Sequence, residues 1–245
     1  MCSVTKTGKL AIMRTLKNLI GMTAGLAVIA MAGAAMAQTD NVSATKHNLS
    51  TSGTGTVHVT TGTDEVCVFC HTPHAASTTA KPLWNREDSV AAYQMYNAAW
   101  SSTIDMTVAG SPQGVSLACL SCHDGTVALD AFQNAPGAGG GAAGSEGYTF
   151  TGADPGNLFP SASFAMLGPD LRNDHPISVT YDHTATGDTA FRDPVTFTNV
   201  QLANGAVECS SCHNPHDADG PLDDTATFLR GDNAGSALCL ECHIK

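Results

Sequence analysis

The chain has 245 residues, with 11 basic against 22 acidic side chains, a formal charge of −11, and only 6% aromatic residues beside 24 glycines and 11 prolines. An acidic balance of this size excludes a nucleic-acid binder and an anionic-membrane binder, and points to basic partner patches or a cationic or metal-oxide surface. So few aromatics among so many glycines bury too little apolar surface to offset the conformational entropy of folding unaided.

In chain order, residues 1–37 read as a signal peptide. Lys6, Lys9, Arg14 and Lys17 form a basic start, residues 19–31 an apolar stretch, and Ala35-Met36-Ala37 a small-x-small cleavage site before Gln38. The apolar stretch is short for a bilayer span of about 20 residues, so cleavage is expected rather than a transmembrane anchor. Cys2, the ninth cysteine, leaves with this segment. The mature chain, residues 38–245, keeps eight cysteines and 7 basic against 22 acidic residues, a formal charge of −15. The expected location is therefore periplasmic, extracellular or on the cell surface.

His47 follows in a polar context, Lys46-His47-Asn48-Leu49-Ser50. His58 sits in an alternating apolar stretch and is expected in a strand. The first of four CxxCH motifs is Cys67-Val-Phe-Cys70-His71, followed by Thr72-Pro73-His74. Residues 89–100 are the best helical stretch. Cys119-Leu-Ser-Cys122-His123 is the second motif. Residues 134–147, rich in glycine and alanine, read as a loop or linker. Residues 149–164 and 178–200 read as loops with short extended pieces. His175 stands in Asp174-His175-Pro176-Ile177-Ser178, and His183 in a turn. Cys209-Ser-Ser-Cys212-His213, followed by Asn214-Pro215-His216, and Cys239-Leu-Glu-Cys242-His243 complete the set.

CxxCH has a chemical reason for its spacing. Two thiols three positions apart on one turn can each add to a haem vinyl group, and the next residue presents an imidazole to the iron from the same side. Structural zinc also uses paired CxxC, but histidine immediately after the second cysteine is not its usual ligand pattern. A disulfide framework does not explain that histidine either. Four motifs imply four covalent haems c, and four large apolar plates supply the core that the composition lacks, so that ligation becomes folding energy. The expected fold is mostly coil with short helices and few short strands, wrapped around a chain of four haems. A CxxCHxPH motif followed by a CLxCH motif occurs twice. This suggests two di-haem modules, about residues 38–133 and 148–245, joined by the glycine-rich loop.

Ten histidines are present. The motifs make His71, His123, His213 and His243 proximal ligands. The repeat nominates His47, His74, His175 and His216 as distal ligands, leaving His58 and His183 as ordinary exposed or hydrogen-bonded histidines. Pro73 and Pro215 stiffen the turns before His74 and His216, each of which is expected to serve the next haem of its own module, that of Cys119/Cys122 or Cys239/Cys242. Methionine is the rival axial ligand, but Met95, Met106 and Met166 have no repeat support. Iron held by two histidines keeps no open position for substrate, so catalysis is not expected and electron transfer is.

The residues around His47, the first CxxCHxPH, Pro82-Leu83-Trp84-Asn85-Arg86, residues 119–126, the His175 segment and residues 208–216 resemble bacterial multihaem cytochromes of the doubled-CxxCH type. More closely they resemble extracellular tetrahaem cytochromes of the OmcE type, which polymerise into conducting filaments. The resemblance implies bis-histidine haems in a continuous chain, with one distal histidine supplied by the neighbouring subunit. His47, near the mature N-terminus, is a candidate for that donated ligand, or it folds back onto a haem of its own chain. Three functions follow: a polymerising electron conduit, a monomeric tetrahaem carrier passing electrons between redox-partner cytochromes or to an extracellular acceptor, and a multihaem reductase. The spare histidines weigh against the last.

Overall fold

Regular secondary structure is sparse because the chain keeps interrupting it. The computed structural model describes residues 41–135, 148–184, 190–217 and 227–244, all within the contact unit Asp40–Lys245. The expected signal peptide, residues 1–37, and most of the glycine-rich loop, residues 136–147, lie outside the described residues. Four two-residue strands pair as two antiparallel ribbons. β1 (His58–Val59) pairs with β2 (Phe150–Thr151), His58 opposite Thr151 and Val59 opposite Phe150. β3 (Val179–Thr180) pairs with β4 (Ala206–Val207), Val179 opposite Val207. Three α-helices are described: α1 (Gly114–His123), α2 (Cys209–Cys212) and α3 (Cys239–Cys242). Single 3-10 turns lie at Val42–Ala44, Cys67–Phe69, Pro194–Thr196 and Ala234–Ser236. The expected coil-dominated architecture is therefore present, with His58 in a strand and His183 in a turn.

The expected helix at residues 89–100 is not. That segment pairs at Gln94 and ends in a turn at residues 98–100: the Gln94 N–H donates to Pro169 O (2.9 Å), and the Leu171 N–H to Gln94 O (2.9 Å). The pairing satisfies backbone groups that a helix would have satisfied internally. It also seats Met95 in a small core with Leu120 and Leu171, while Val90 stays almost fully exposed. Tertiary pairing overrides helix propensity here.

The ten-residue helix forms instead at Gly114–His123. Its C-terminus is closed by Gly125 at φ 67°, whose N–H donates to Cys122 O (3.1 Å), while the Asp124 N–H donates to Leu120 O (3.1 Å). This is a glycine-type helix stop. A β-carbon at Gly125 would also collide with the Met166 side chain. Asp124 then turns the chain, accepting from the Thr126 N–H (2.8 Å) and the Tyr93 hydroxyl.

The apolar core is small. Val59, Phe69, Leu129, Phe132, Ala135 and Phe150 form its main cluster, with the Phe69 ring 5.9 Å from Phe132 and 6.0 Å from Phe150, edge to face. Polar groups complete the fastening. Arg86 is 1% exposed and donates to Leu129 O (2.6 Å) and Ala128 O (2.5 Å), its guanidinium over the Phe132 ring. Asn85 donates to Val68 O (2.6 Å) and Asn134 O (2.8 Å) and accepts from the Asn134 N–H (2.8 Å), tying the first CxxCH motif to the start of the glycine-rich loop.

Candidate haem sites

Each CxxCH motif lies on one helical turn. The His71 N–H donates to Cys67 O (2.8 Å), that of His213 to Cys209 O (3.1 Å) and that of His243 to Cys239 O (2.9 Å). The second motif ends α1. An i to i−4 bond brings the first thiol and the imidazole onto one face. Among the described residues all eight cysteines are free, with no disulfide between them. Among the described residues no three His, Cys, Asp or Glu side chains converge as a metal-ion site.

The imidazoles are oriented by backbone. Nδ1 of His71 donates to Pro82 O (2.9 Å), Nδ1 of His123 to Ala165 O (2.9 Å) and Nδ1 of His213 to Thr227 O (2.6 Å). A carbonyl accepting from Nδ1 fixes the tautomer that leaves the Nε2 lone pair for a metal. His47 does the same with Pro215 O (3.3 Å), His175 with Pro176 O (2.9 Å) and His58 with Gly55 O (2.8 Å). Sequence reasoning had no signal for these carbonyls, which come from residues up to 168 positions away.

Three pairs of these rings face each other. The ring centres of His71 and His216 are 6.0 Å apart, those of His47 and His123 6.2 Å, and those of His175 and His243 6.5 Å, with interplanar angles of 33°, 79° and 78°. Two imidazoles on opposite sides of one metal, at about 2.0 Å per bond, have ring centres roughly 6 Å apart. The spacing therefore fits iron between each pair. His216 lies against His71 rather than a ligand of its own module, because the turn through Pro215 carries it across to the first repeat. His47 lies against His123 of the same chain. His74 is exposed, and among the described residues neither it nor His213 faces another imidazole. His183 lies 3.8 Å from the Asp193 carboxylate.

Burial, and then the neighbouring His123, push the His47 imidazole down to about 4; burial also lowers His123. Both are thus neutral, as metal ligation requires. Burial pushes the Cys70 thiol up to about 12 and the Cys242 thiol up to about 11. The Cys119 thiol is raised by its hydrogen bond to Cys209.

A carboxylate that the sequence did not single out joins the two repeats. Glu208, 5% exposed, accepts from the hydroxyls of Ser116 on α1 and Ser178 (3.0 Å) and caps α2. The Ser116 hydroxyl in turn accepts from the Cys209 N–H (3.1 Å). Burial raises the Glu208 carboxyl above the ordinary range despite these donors.

Residues 201–245 match the doubled CXXCH motif family. This stretch is a doubled CXXCH domain. It is consistent with a multihaem c-type cytochrome, and its motifs imply covalent haem c and an electron carrier. No curated protein matches the chain. The doubled CXXCH domain holds the third and fourth motifs, and the first repeat copies its local geometry. After His213 the chain returns so that the Asn214 N–H donates to Phe228 O (2.8 Å) and the Arg230 N–H to Cys212 O (2.8 Å). After His71 the Thr72 N–H donates to Leu83 O (2.9 Å) and the Asn85 N–H to Cys70 O (2.8 Å). His213 bridges Leu229 as His71 bridges Trp84, and Phe228 and Leu83 share a positive φ, 55° and 51°.

Proposed function

We propose that this chain transfers electrons through four covalent haems c, each iron held by two histidines, in two di-haem modules, and that it self-associates head to tail into an extracellular filament. The observation that carries the reading is the set of three imidazole pairs at the spacing of two ligands on one metal. His71 with His216, His123 with His47 and His243 with His175 would hold three of the irons, while the cysteine pairs would hold the porphyrins. Haem bound there supplies a one-electron couple. The protein's part is to keep both axial positions filled, to keep His47 and His123 neutral by burial, and to hold Nδ1 of His71, His123, His47 and His175 on backbone carbonyls so that Nε2 is left for the iron. Filled axial positions leave no place for substrate, so the chain is read as a carrier and not an enzyme.

The attachment thiols support a continuous chain of haems. Cys70 interacts with Cys122, Cys119 with Cys209, and Cys212 with Cys239 and Cys242. Neighbouring motifs thus meet in sequence order, first to fourth.

His213 is the fourth proximal ligand, and His74 is the unpartnered distal candidate. His216, three residues after His213, reaches the first repeat. By the same repeat logic His74, three residues after His71, reaches His213 of a second copy. Its imidazole is exposed on fixed backbone, since His74 O accepts from the Thr72 hydroxyl (3.0 Å) and from the Asn134 amide. A ligand given head to tail builds an open filament when the rotation does not close. Redox-partner cytochromes or an extracellular acceptor would meet its ends. Residues 1–37 support export, and the acidic surface disfavours nucleic acid.

One observation favours a monomeric carrier as the second reading: Nδ1 of His58 is held by Gly55 O as in the paired histidines, which prepares His58 to ligate within its own chain. Spin state separates the two. His216→Ala, His47→Ala and His175→Ala each open one iron to carbon monoxide on either reading. On the filament reading His74→Ala opens the His213 iron and abolishes filaments, and His58→Ala does neither. Carbon monoxide binding by the unmutated protein at the three paired sites would overturn the assignment.

A further inference from the structure

The two repeats clasp their CxxCHxPH motifs identically, but what sits outside each clasp differs. In the second repeat the clasp residue Phe228 lies flat on the ring of His47, with ring centres 4.4 Å apart and planes at 15°, and is 9% exposed. In the first repeat the equivalent residue is Leu83. It has the same backbone conformation and the same carbonyl bond, yet it is 53% exposed. His47 opens the first repeat, and its counterpart in the second is His175. His47 is half-buried under Phe228, whereas His175 is exposed. An apolar knob without a seat and a seat without a knob therefore remain, in equivalent places of the two repeats.

We infer that Leu83 of one copy docks on the His175 ring of the next copy, so that the contact between chains repeats the contact between modules within a chain. The inference rests on the filament reading and adds to it a docking residue distinct from the donated ligand. The occupant is a second copy because the in-chain precedent defines both halves: Phe228 and His216 come from one module, and His47 and His71 from the other. Transposed by one module, Leu83 and His74 meet His175 and His213. The pair explains why a leucine is presented to solvent in a left-handed backbone conformation, where a β-carbon costs energy. It also shields an axial imidazole with an apolar side chain, as Phe228 does at His47.

The test compares holoprotein carrying Leu83→Gly, Leu83→Phe or His74→Ala with the unmutated chain, by sedimentation, electron microscopy and ferric spin state. Glycine suits the positive φ, so Leu83→Gly removes the knob while relaxing the clasp. It is expected to weaken association by about tenfold or more, the loss of one leucine-sized apolar contact, and to leave the paired sites low-spin. Leu83→Phe, which copies Phe228, is expected to assemble like the unmutated chain. Assembly of Leu83→Gly at unmutated strength, or failure of Leu83→Phe to assemble, overturns the docking role. If His74→Ala assembles normally with every iron low-spin, His74 is not the donated ligand; if the unmutated holoprotein does not associate at all, the filament reading itself fails, and the docking proposal with it. A photo-crosslinking phenylalanine analogue at position 83 gives an independent readout. Crosslinks to the His175 segment of a second chain are expected, and crosslinks confined to its own chain overturn the proposal.

Discussion

Glu208 and His47 are the residues where burial and function meet most directly. Glu208 accepts from Ser116 and Ser178 at the seam between α1 and α2, and it caps α2. Replacing it by alanine leaves buried hydroxyl and N–H donors without acceptors. Glu208→Ala should cost about 1–3 kcal/mol in denaturant unfolding, and a cost near zero would show that water replaces the carboxylate. His47 gives a pH signature. Its imidazole is held down to about 4, below the ordinary value of 6.5. Below 6.5 the unfolded chain binds a proton that the folded chain refuses, the more so with iron on the imidazole, so stability falls as pH drops from 6.5 towards 4. On the proposed reading His47→Met supplies an axial ligand that does not titrate there, and its melting profile across that window should be shallower than that of the unmutated protein. The paired imidazoles all belong to histidines that the motifs or the repeat single out. Their pairing was not legible from the chain, because His47 with His123, His71 with His216 and His175 with His243 meet only through turns and returns of the backbone.

Among the elements, the short CxxCH helices were readable because one motif encodes one turn. The clasp that follows each CxxCHxPH was not, since its residues, Pro82-Leu83-Trp84-Asn85 and Thr227-Phe228-Leu229-Arg230, share little chemistry and the hydrogen bonds run through backbone. The segment 89–100 misled for the opposite reason. Its composition suits a helix, but pairing with residues 169–171 leaves Met95 a core position that a helix would not. The stop of α1 offers a test at this scale. Gly125→Ala forces a β-carbon into a left-handed position and against Met166, and should cost about 1–2 kcal/mol. Hydrogen exchange should show faster opening in the last turn of α1, around Cys122 and His123. Unchanged protection there would show that the turn is held by the second motif and not by its cap.

Across the whole molecule, a small apolar core, a set of buried polar fastenings and imidazoles paired at ligand spacing occur together. Each is what a chain looks like when much of its interior belongs to something it binds. The thin core was legible in the composition, and the expectation of covalent haem in the motifs. The route by which the second repeat reaches back to the first was not, because nothing in a linear repeat says which copy a turn will face. Mass spectrometry of the purified protein under denaturing conditions tests the central claim most directly. Only covalently bound groups survive denaturation, and four complete CxxCH motifs predict a single species at the mass of the mature chain plus four haems. A fully matured protein carrying fewer than four would contradict it.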